Sequence, residues 1–162
     1  ILAQLPHAAK CRLAQTLGLR MPLPYDPGSI PTLPAPAAGE VIHIEVEGLP
    51  PIKDVRQSIR NAKHPLHERF KQLRKDATKA MAGRAWSFGP VQLNLTVRSP
   101  KSSREHDLNA YLGGVMDTLD GSSGFSFTYL PIVFEDDSQV HGSQTRWEDA
   151  ASSSYVIQIT FS

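Results

Sequence analysis

Acidic side chains gather at two places in the second half of this 162-residue chain. Glu105 and Asp107 precede a stretch with helical spacing, and Glu135, Asp136 and Asp137 follow a short apolar run. Clustered carboxylates repel one another, and a hard divalent cation such as Mg²⁺ relieves that repulsion because it prefers oxygen ligands. Such a cation can activate water and stabilise the charge that builds on a phosphodiester during hydrolysis. These residue types therefore favour metal-assisted hydrolysis.

Each acidic group also has a purely structural interpretation. Asp107 can be the N-cap of the helix that follows it, and the phrase EDDS can be a solvated turn. Taken singly, these interpretations are the simpler ones. The distribution of charge along the chain is what favours a metal site.

The formal net charge of +1 conceals two regions of opposite charge. Residues 53–104, the basic half, hold 13 basic and three acidic side chains, whereas residues 105–149, the acidic half, hold nine acidic and one basic. This division is expected if one region holds a polyanion such as nucleic acid and the other holds the metal that acts on it. A surface whose charges segregate by chance is the alternative.

Two periodicities in the apolar residues predict the elements that must position these side chains. Alternation predicts strands at 41–48, 91–98 and 155–161, and helical spacing predicts helices at 64–82 and 108–120. Residues 52–63 have no apolar period and are expected to form an exposed basic loop. A short apolar run at 130–134 precedes the three acids, and a terminal hairpin is expected to close the chain. This order indicates an α+β fold, a single mixed β-sheet packed with two main helices.

The first 39 residues differ in composition from the rest. A short helix is expected at 7–19, and six prolines at 22–36 predict an extended arm, because proline sustains neither a helix nor a central strand. The single Cys11 excludes an internal disulfide framework, and no apolar run is long enough to span a membrane. We expect a soluble protein with an N-terminal helix and Pro-rich arm at 1–39 and the main domain at 40–162.

From residue 41 to residue 161 the chain resembles the RusA family of Holliday-junction resolvases. In that family the second helix opens with an Asp-x-Asp-Asn phrase, has a Lys one turn on and an Asp and a Leu near its end, and an Asp-Asp-x-Gln-Val phrase follows later. The closest matches here are Asp107, Asp117, Leu119 and DDSQV at 136–140. The other segments that carry the resemblance are IEVEGLPP, HERFKQLRKDATKAM, VQLNLTVRSP and DLNAYLGGVMDTLDG.

The resemblance implies a homodimeric endonuclease of DNA recombination and repair, cytoplasmic and bacterial or phage-derived, that nicks four-way junction DNA with Mg²⁺, for which Mn²⁺ can substitute. It implies that Asp107 and Asp137 bind the metal, with Glu105, Asp136 or Asn109 completing the site. Lys101 and Arg104 are implied phosphate contacts. The further basic residues expected to contact DNA are Arg98, Arg60, Lys63 and Arg56.

Two positions depart from the family pattern. Asn109 stands at the second acidic position and Gly113 at the position of the Lys, so one carboxylate and one cation are missing. Three interpretations follow: an impaired nuclease that still binds DNA, a site rebuilt from Glu105, Asp107 and Asp137, or an alignment shifted by two residues. The first two are favoured. The alternative functions are a catalytically silent junction-binding protein and an interaction module indifferent to nucleic acid.

Overall fold

The computed structural model describes residues 31–120 and 131–162. The helix expected at 7–19, most of the Pro-rich arm and the segment 121–130 lie outside these ranges. The four strands are β1 (Val41–Glu47), β2 (Val91–Ser99), β3 (Val140–Asp149) and β4 (Ser154–Phe161). The helices of the described ranges are α1 (His67–Met81) and α2 (Leu108–Leu119), with short 3₁₀ turns at Lys101–Ser103 and Asp137–Gln139. The predicted α+β class, one mixed sheet with two helices, is confirmed.

The strands lie in the order β1-β4-β2-β3. β4 pairs antiparallel with both β1 and β2, whereas β2 and β3 are parallel. Alternate residues of β1, β2 and β4 are buried, so one face of the sheet is apolar and the other is polar. Leu73 and Ala77 of α1 and Val115 and Leu119 of α2 pack on the apolar face and complete the core.

The prediction of a terminal hairpin was wrong, because β2 lies between β3 and β4. β4 buries every second side chain, and such a strand gains most from a central position. β3 carries mostly polar and charged side chains, which suit the edge of a sheet. The connection between the two strands crosses the end of β2, where the Ala150 N–H donates to the carbonyl of Ser99 at 3.3 Å.

α1 begins three residues later than the sequence predicts, because His64 ends the preceding turn. The His64 N–H donates to the carbonyl of Asn61, and its Nδ1 accepts from the Leu66 N–H at 3.0 Å. α1 ends where Ala82 and Gly83 adopt left-handed backbone conformations, with φ of 51° and 82°.

The segment 50–53 crosses α2 at its two glycines. The Lys53 N–H donates to the carbonyl of Ala110 at 3.0 Å. A Cβ atom built on Gly114 would lie 2.1 Å from the carbonyl oxygen of Pro51, so only glycine permits this approach. The segment that leads into the basic loop is therefore held against the middle of α2.

The described end of the Pro-rich arm lies against the main domain. The N–H groups of Thr32 and Leu33 donate to the carbonyl of Gly83, and that of Gly39 donates to the carbonyl of Phe161. Neither α1 nor α2 has both the length and the apolar character that crossing a membrane demands.

Candidate metal centre

Three aspartates converge beyond the C-terminal end of α2. Asp117 lies in the last turn of that helix, Asp120 is its C-cap, and Asp137 opens the 3₁₀ turn before β3. One carboxylate oxygen of each lies within 4.8 Å of the others. We call these three residues the carboxylate cluster.

The chain returns to the end of α2 because backbone hydrogen bonds hold it there. The carbonyl of Leu119 accepts from the N–H groups of Ile132 and Val133, at 3.1 and 3.2 Å. The same strand-like segment continues through Phe134, which bridges to Ser87. As a result, the acidic residues that follow residue 134 lie near the C-terminal end of α2.

The DDSQV phrase is fixed by its own side chains. Asp136 and Gln139 form a reciprocal capping box around the 3₁₀ turn. The Gln139 amide also donates to the carbonyls of Ser87 and Gly89, at 2.8 and 2.9 Å. These bonds anchor the turn to the residues before β2 and hold Asp137 in place at the cluster.

Burial makes two members of the cluster, Asp117 and Asp120, reluctant to ionise. Asp120 is only 6 % exposed. Burial, opposed by Arg60 and reinforced by Asp117, Asp137 and Asp136, raises the pKa of Asp120 from 3.8 to about 7. Burial also raises the pKa of Asp117, an effect that Lys53 and Arg60 oppose. Both pKa shifts come mainly from the removal of these carboxylates from water.

Two cations of the basic loop reach the cluster. Arg60 Nη2 donates to Asp120 Oδ1 and to the carbonyl of Asp117, each at 2.5 Å. Lys53 Nζ lies 3.9 Å from Asp117 Oδ1 and is more loosely held. Three carboxyl groups therefore face two cationic side chains.

The donor set suits a hard divalent cation. Two oxygens bound to one Mg²⁺ at ~2.1 Å lie at most ~4.2 Å apart, and two bound to one Ca²⁺ lie up to ~5 Å apart. The oxygens of the cluster lie within 4.8 Å of one another, which is inside the second limit. The three carboxylates can in principle hold such an ion, and their geometry leaves its identity open.

The other residues that the sequence assigned to the metal lie elsewhere. Asp107 is the N-cap of α2, where its Oδ1 accepts from the Ala110 N–H at 2.7 Å. Ten helical positions, a rise of about 15 Å, separate it from Asp117, too far for both to bind one ion. Glu105 faces Arg69 at 3.5 Å, and Asn109 is exposed on the first turn of α2. The structure thus groups Asp137 with Asp117 and Asp120 instead, and it leaves Asp136 beside them.

The basic residues expected to contact DNA fall into two sets. Arg98 pairs with Glu148 at 3.1 Å, and both Lys101 and Arg104 pair with Asp149, at 3.8 and 2.6 Å. Arg60 is committed to the carboxylate cluster. By contrast, Arg56 and Lys63 are exposed on the basic loop, where the Arg56 N–H donates to Asp54 Oδ1 at 2.9 Å. The basic and acidic halves of the sequence therefore meet across the fold.

Asp117, Asp120 and Lys53 are the residues of this centre to which the sequence assigned no site role, although Asp117 was a match to the family pattern. A signal for Asp120 exists, since Asp117 and Asp120 are three positions apart on the polar side of α2 and must lie on one face. Lys53 gives no such signal, because its position depends on how the segment 50–53 crosses the helix.

The arrangement can hold a divalent cation through oxygen ligands beside a loop that carries exposed positive charge. Comparison of the chain with models of known protein families and with curated protein sequences gives no match.

Proposed function

We propose that this protein is a metal-dependent endonuclease that hydrolyses phosphodiesters of branched DNA. The observation that carries the proposal is the convergence of Asp117, Asp120 and Asp137 within 4.8 Å of one another, next to the basic loop. Substrate shape, a four-way junction bound by a homodimer, is proposed from the sequence resemblance. A symmetric dimer would offer one site to each of two equivalent strands.

In this proposal the three carboxylates bind and orient one Mg²⁺ or Mn²⁺. The bound ion supplies an activated water and stabilises charge on the phosphodiester. Arg60 fixes the orientation of Asp120, because its guanidinium also holds the carbonyl of Asp117. Arg56 and Lys63 provide exposed positive charge for the DNA backbone.

A catalytically silent junction-binding protein is the second candidate. One observation favours it: Arg60 already neutralises part of the cluster, so the three aspartates with Arg60 and Lys53 also form a self-sufficient ionic network. Such a protein would bind junction DNA in a salt-sensitive manner without cutting it.

The test is nicking of a synthetic four-way junction with Mg²⁺ or Mn²⁺ by the unsubstituted protein, Asp137→Asn and Asp107→Asn. Loss of cleavage in Asp137→Asn with retention in Asp107→Asn is the expected result. Retention in Asp137→Asn would remove the cluster from the reaction. Salt-sensitive binding without cleavage would establish the second candidate, and failure to bind at low salt would leave only an interaction module.

A further inference from the structure

Gly113, in the middle of α2, lies directly beneath the side chain of Lys53. A Cβ atom built on Gly113 would be 2.9 Å from Lys53 Cβ and 3.0 Å from Lys53 Cδ. Contacts that short are essentially never tolerated between carbon atoms. Any residue larger than glycine at this position therefore displaces the stem of Lys53.

The backbone of Lys53 is fixed where it crosses the helix. Its N–H donates to the carbonyl of Ala110, Pro51 abuts Gly114, and Ile52 is buried in the core. From this anchored position the side chain crosses Gly113 and brings Nζ to 3.9 Å from Asp117 Oδ1, one turn further along α2. Because Gly113 has no side chain, the side chain of Lys53 can lie across α2 and extend toward the carboxylate cluster.

The two cations at the cluster differ in what they leave free. The Arg60 side chain is 22 % exposed, and one nitrogen donates to both Asp120 and the carbonyl of Asp117. The Lys53 side chain is 57 % exposed, and its contact with Asp117 is longer than a hydrogen bond. An ammonium has three donors, so Lys53 keeps them available to a bound anion.

We propose that Lys53 is a phosphate-binding residue of this centre and that Gly113 leaves the space its side chain needs. Lys53 would contact an oxygen of the same nucleic-acid phosphate that faces the ion on the carboxylate cluster. The assignment rests on the proposed function. Lysine suits this role because a mobile point charge can meet a phosphate from several directions. In this assignment Arg60 orients the aspartates of the cluster, and Lys53 contacts the substrate.

The experiment compares Lys53→Ala, Gly113→Ala and the double variant with the unsubstituted protein. Single-turnover cleavage of junction DNA is measured in Mg²⁺, DNA binding in Ca²⁺, and Mn²⁺ affinity without DNA. Lys79→Ala is the matched control, since it removes one exposed lysine from α1. Thermal denaturation of each variant verifies folding.

We expect Lys53→Ala to slow cleavage by about 10- to 100-fold, the range of one charge-assisted hydrogen bond. Gly113→Ala should produce most of this loss with the charge still present, and the double variant should be no worse than Lys53→Ala. Without DNA, Lys53→Ala should bind Mn²⁺ as tightly as the unsubstituted protein or more tightly, because a nearby positive charge is removed.

Three results would overturn the assignment. Cleavage by Lys53→Ala at the rate of Lys79→Ala would show that only general charge matters. A loss of Mn²⁺ affinity in Lys53→Ala would make the lysine a structural support of the cluster. Additive losses in the double variant would separate Gly113 from Lys53. If the unsubstituted protein neither binds nor cleaves DNA, the proposed function fails together with this assignment, an outcome distinct from all three.

Discussion

The two adjacent glycines of α2 should respond to different extents to the same substitution. Gly114 lies under the backbone of the segment 50–53, and Gly113 lies under the side chain of Lys53. An added methyl group at Gly114 would be 2.1 Å from the Pro51 carbonyl oxygen, more than 1 Å closer than a carbon and an oxygen normally approach. The Pro51 carbonyl cannot move away by side-chain rotation. At Gly113 the overlap is smaller, 2.9 Å from Lys53 Cβ and 3.0 Å from Lys53 Cδ, although of these two atoms only Cδ can rotate away.

The magnitudes follow from what each methyl group displaces. In Gly114→Ala the forced shift costs roughly 1–3 kcal/mol, and weakening the bond from Lys53 N–H to Ala110 costs about 1 kcal/mol. The better helix propensity of alanine returns about 1 kcal/mol. We expect a net loss of about 1–3 kcal/mol for Gly114→Ala, and a stability within about 1 kcal/mol of the unsubstituted protein for Gly113→Ala.

Urea denaturation followed by far-UV circular dichroism measures both variants on one scale. For a chain of this size, a loss of about 2 kcal/mol corresponds to a fall in Tm of roughly 4–8 °C. Equal stabilities for the two variants would refute the argument, because the close approach of Pro51 to α2 would then impose no constraint.

Three further outcomes are expected. Burial raises the pKa of Asp120 from 3.8 to about 7, so the native state keeps this proton to a higher pH than the unfolded chain does. The free energy of unfolding should therefore fall, by at most about 4 kcal/mol, as the pH rises from about 4 through 7. Asp120→Asn should flatten that fall in urea titrations between pH 5 and 8. Saturating Mn²⁺ at about 100 times its Kd should stabilise the protein by about 2.7 kcal/mol, measured as a rise in Tm, and Asp137→Asn should abolish the rise; a full shift in that variant would exclude Asp137 as a ligand. Asp107→Ala should lose about 1 kcal/mol as a helix cap is removed yet keep the Mn²⁺-induced shift, and loss of that shift would return Asp107 to the metal site.

The sequence predicted the fold class and most element bounds because these depend on local periodicity. The strands predicted at 41–48 and 91–98 and the helix at 108–120 each agree with the structure to within one residue. The sheet order could not be read in the same way. Whether β3 pairs with β4 or with β2 depends on long-range competition for the central position, and alternation within a strand carries no information about its neighbours.

The candidate site was predicted in part, for a reason that concerns the path of the chain. Asp137 was assigned to a metal, and it does lie in the carboxylate cluster. Its expected companion was Asp107, at the opposite end of α2. Which end receives Asp137 depends on where the chain returns after the helix, and the bonds of Ile132 and Val133 to Leu119 decide this in favour of the C-terminal end. No residue spacing in the sequence reports that return.

The distribution of charge along the sequence did not predict which charges remain exposed on the surface. The basic half supplies Arg60, Arg98 and Arg104, and the acidic half supplies their partners. Charges of the basic half therefore form ion pairs with charges of the acidic half inside the fold. The exposed positive charge of the basic loop, at Arg56, Lys63 and Lys53, is what the proposed function can use.

The central position of β4 has a consequence for synthesis. Residues 154–161 separate β1 from β2 in the sheet, so β1 has no neighbouring strand, and β2 lacks its antiparallel neighbour, until this late segment leaves the ribosome. Until then β1 has no sheet to join and β2 can pair only with β3, and a nascent chain in this state is open to aggregation or chaperone capture. Stalling translation before residue 154 should leave the chain protease-sensitive, and release of the whole chain should give protection in one cooperative step.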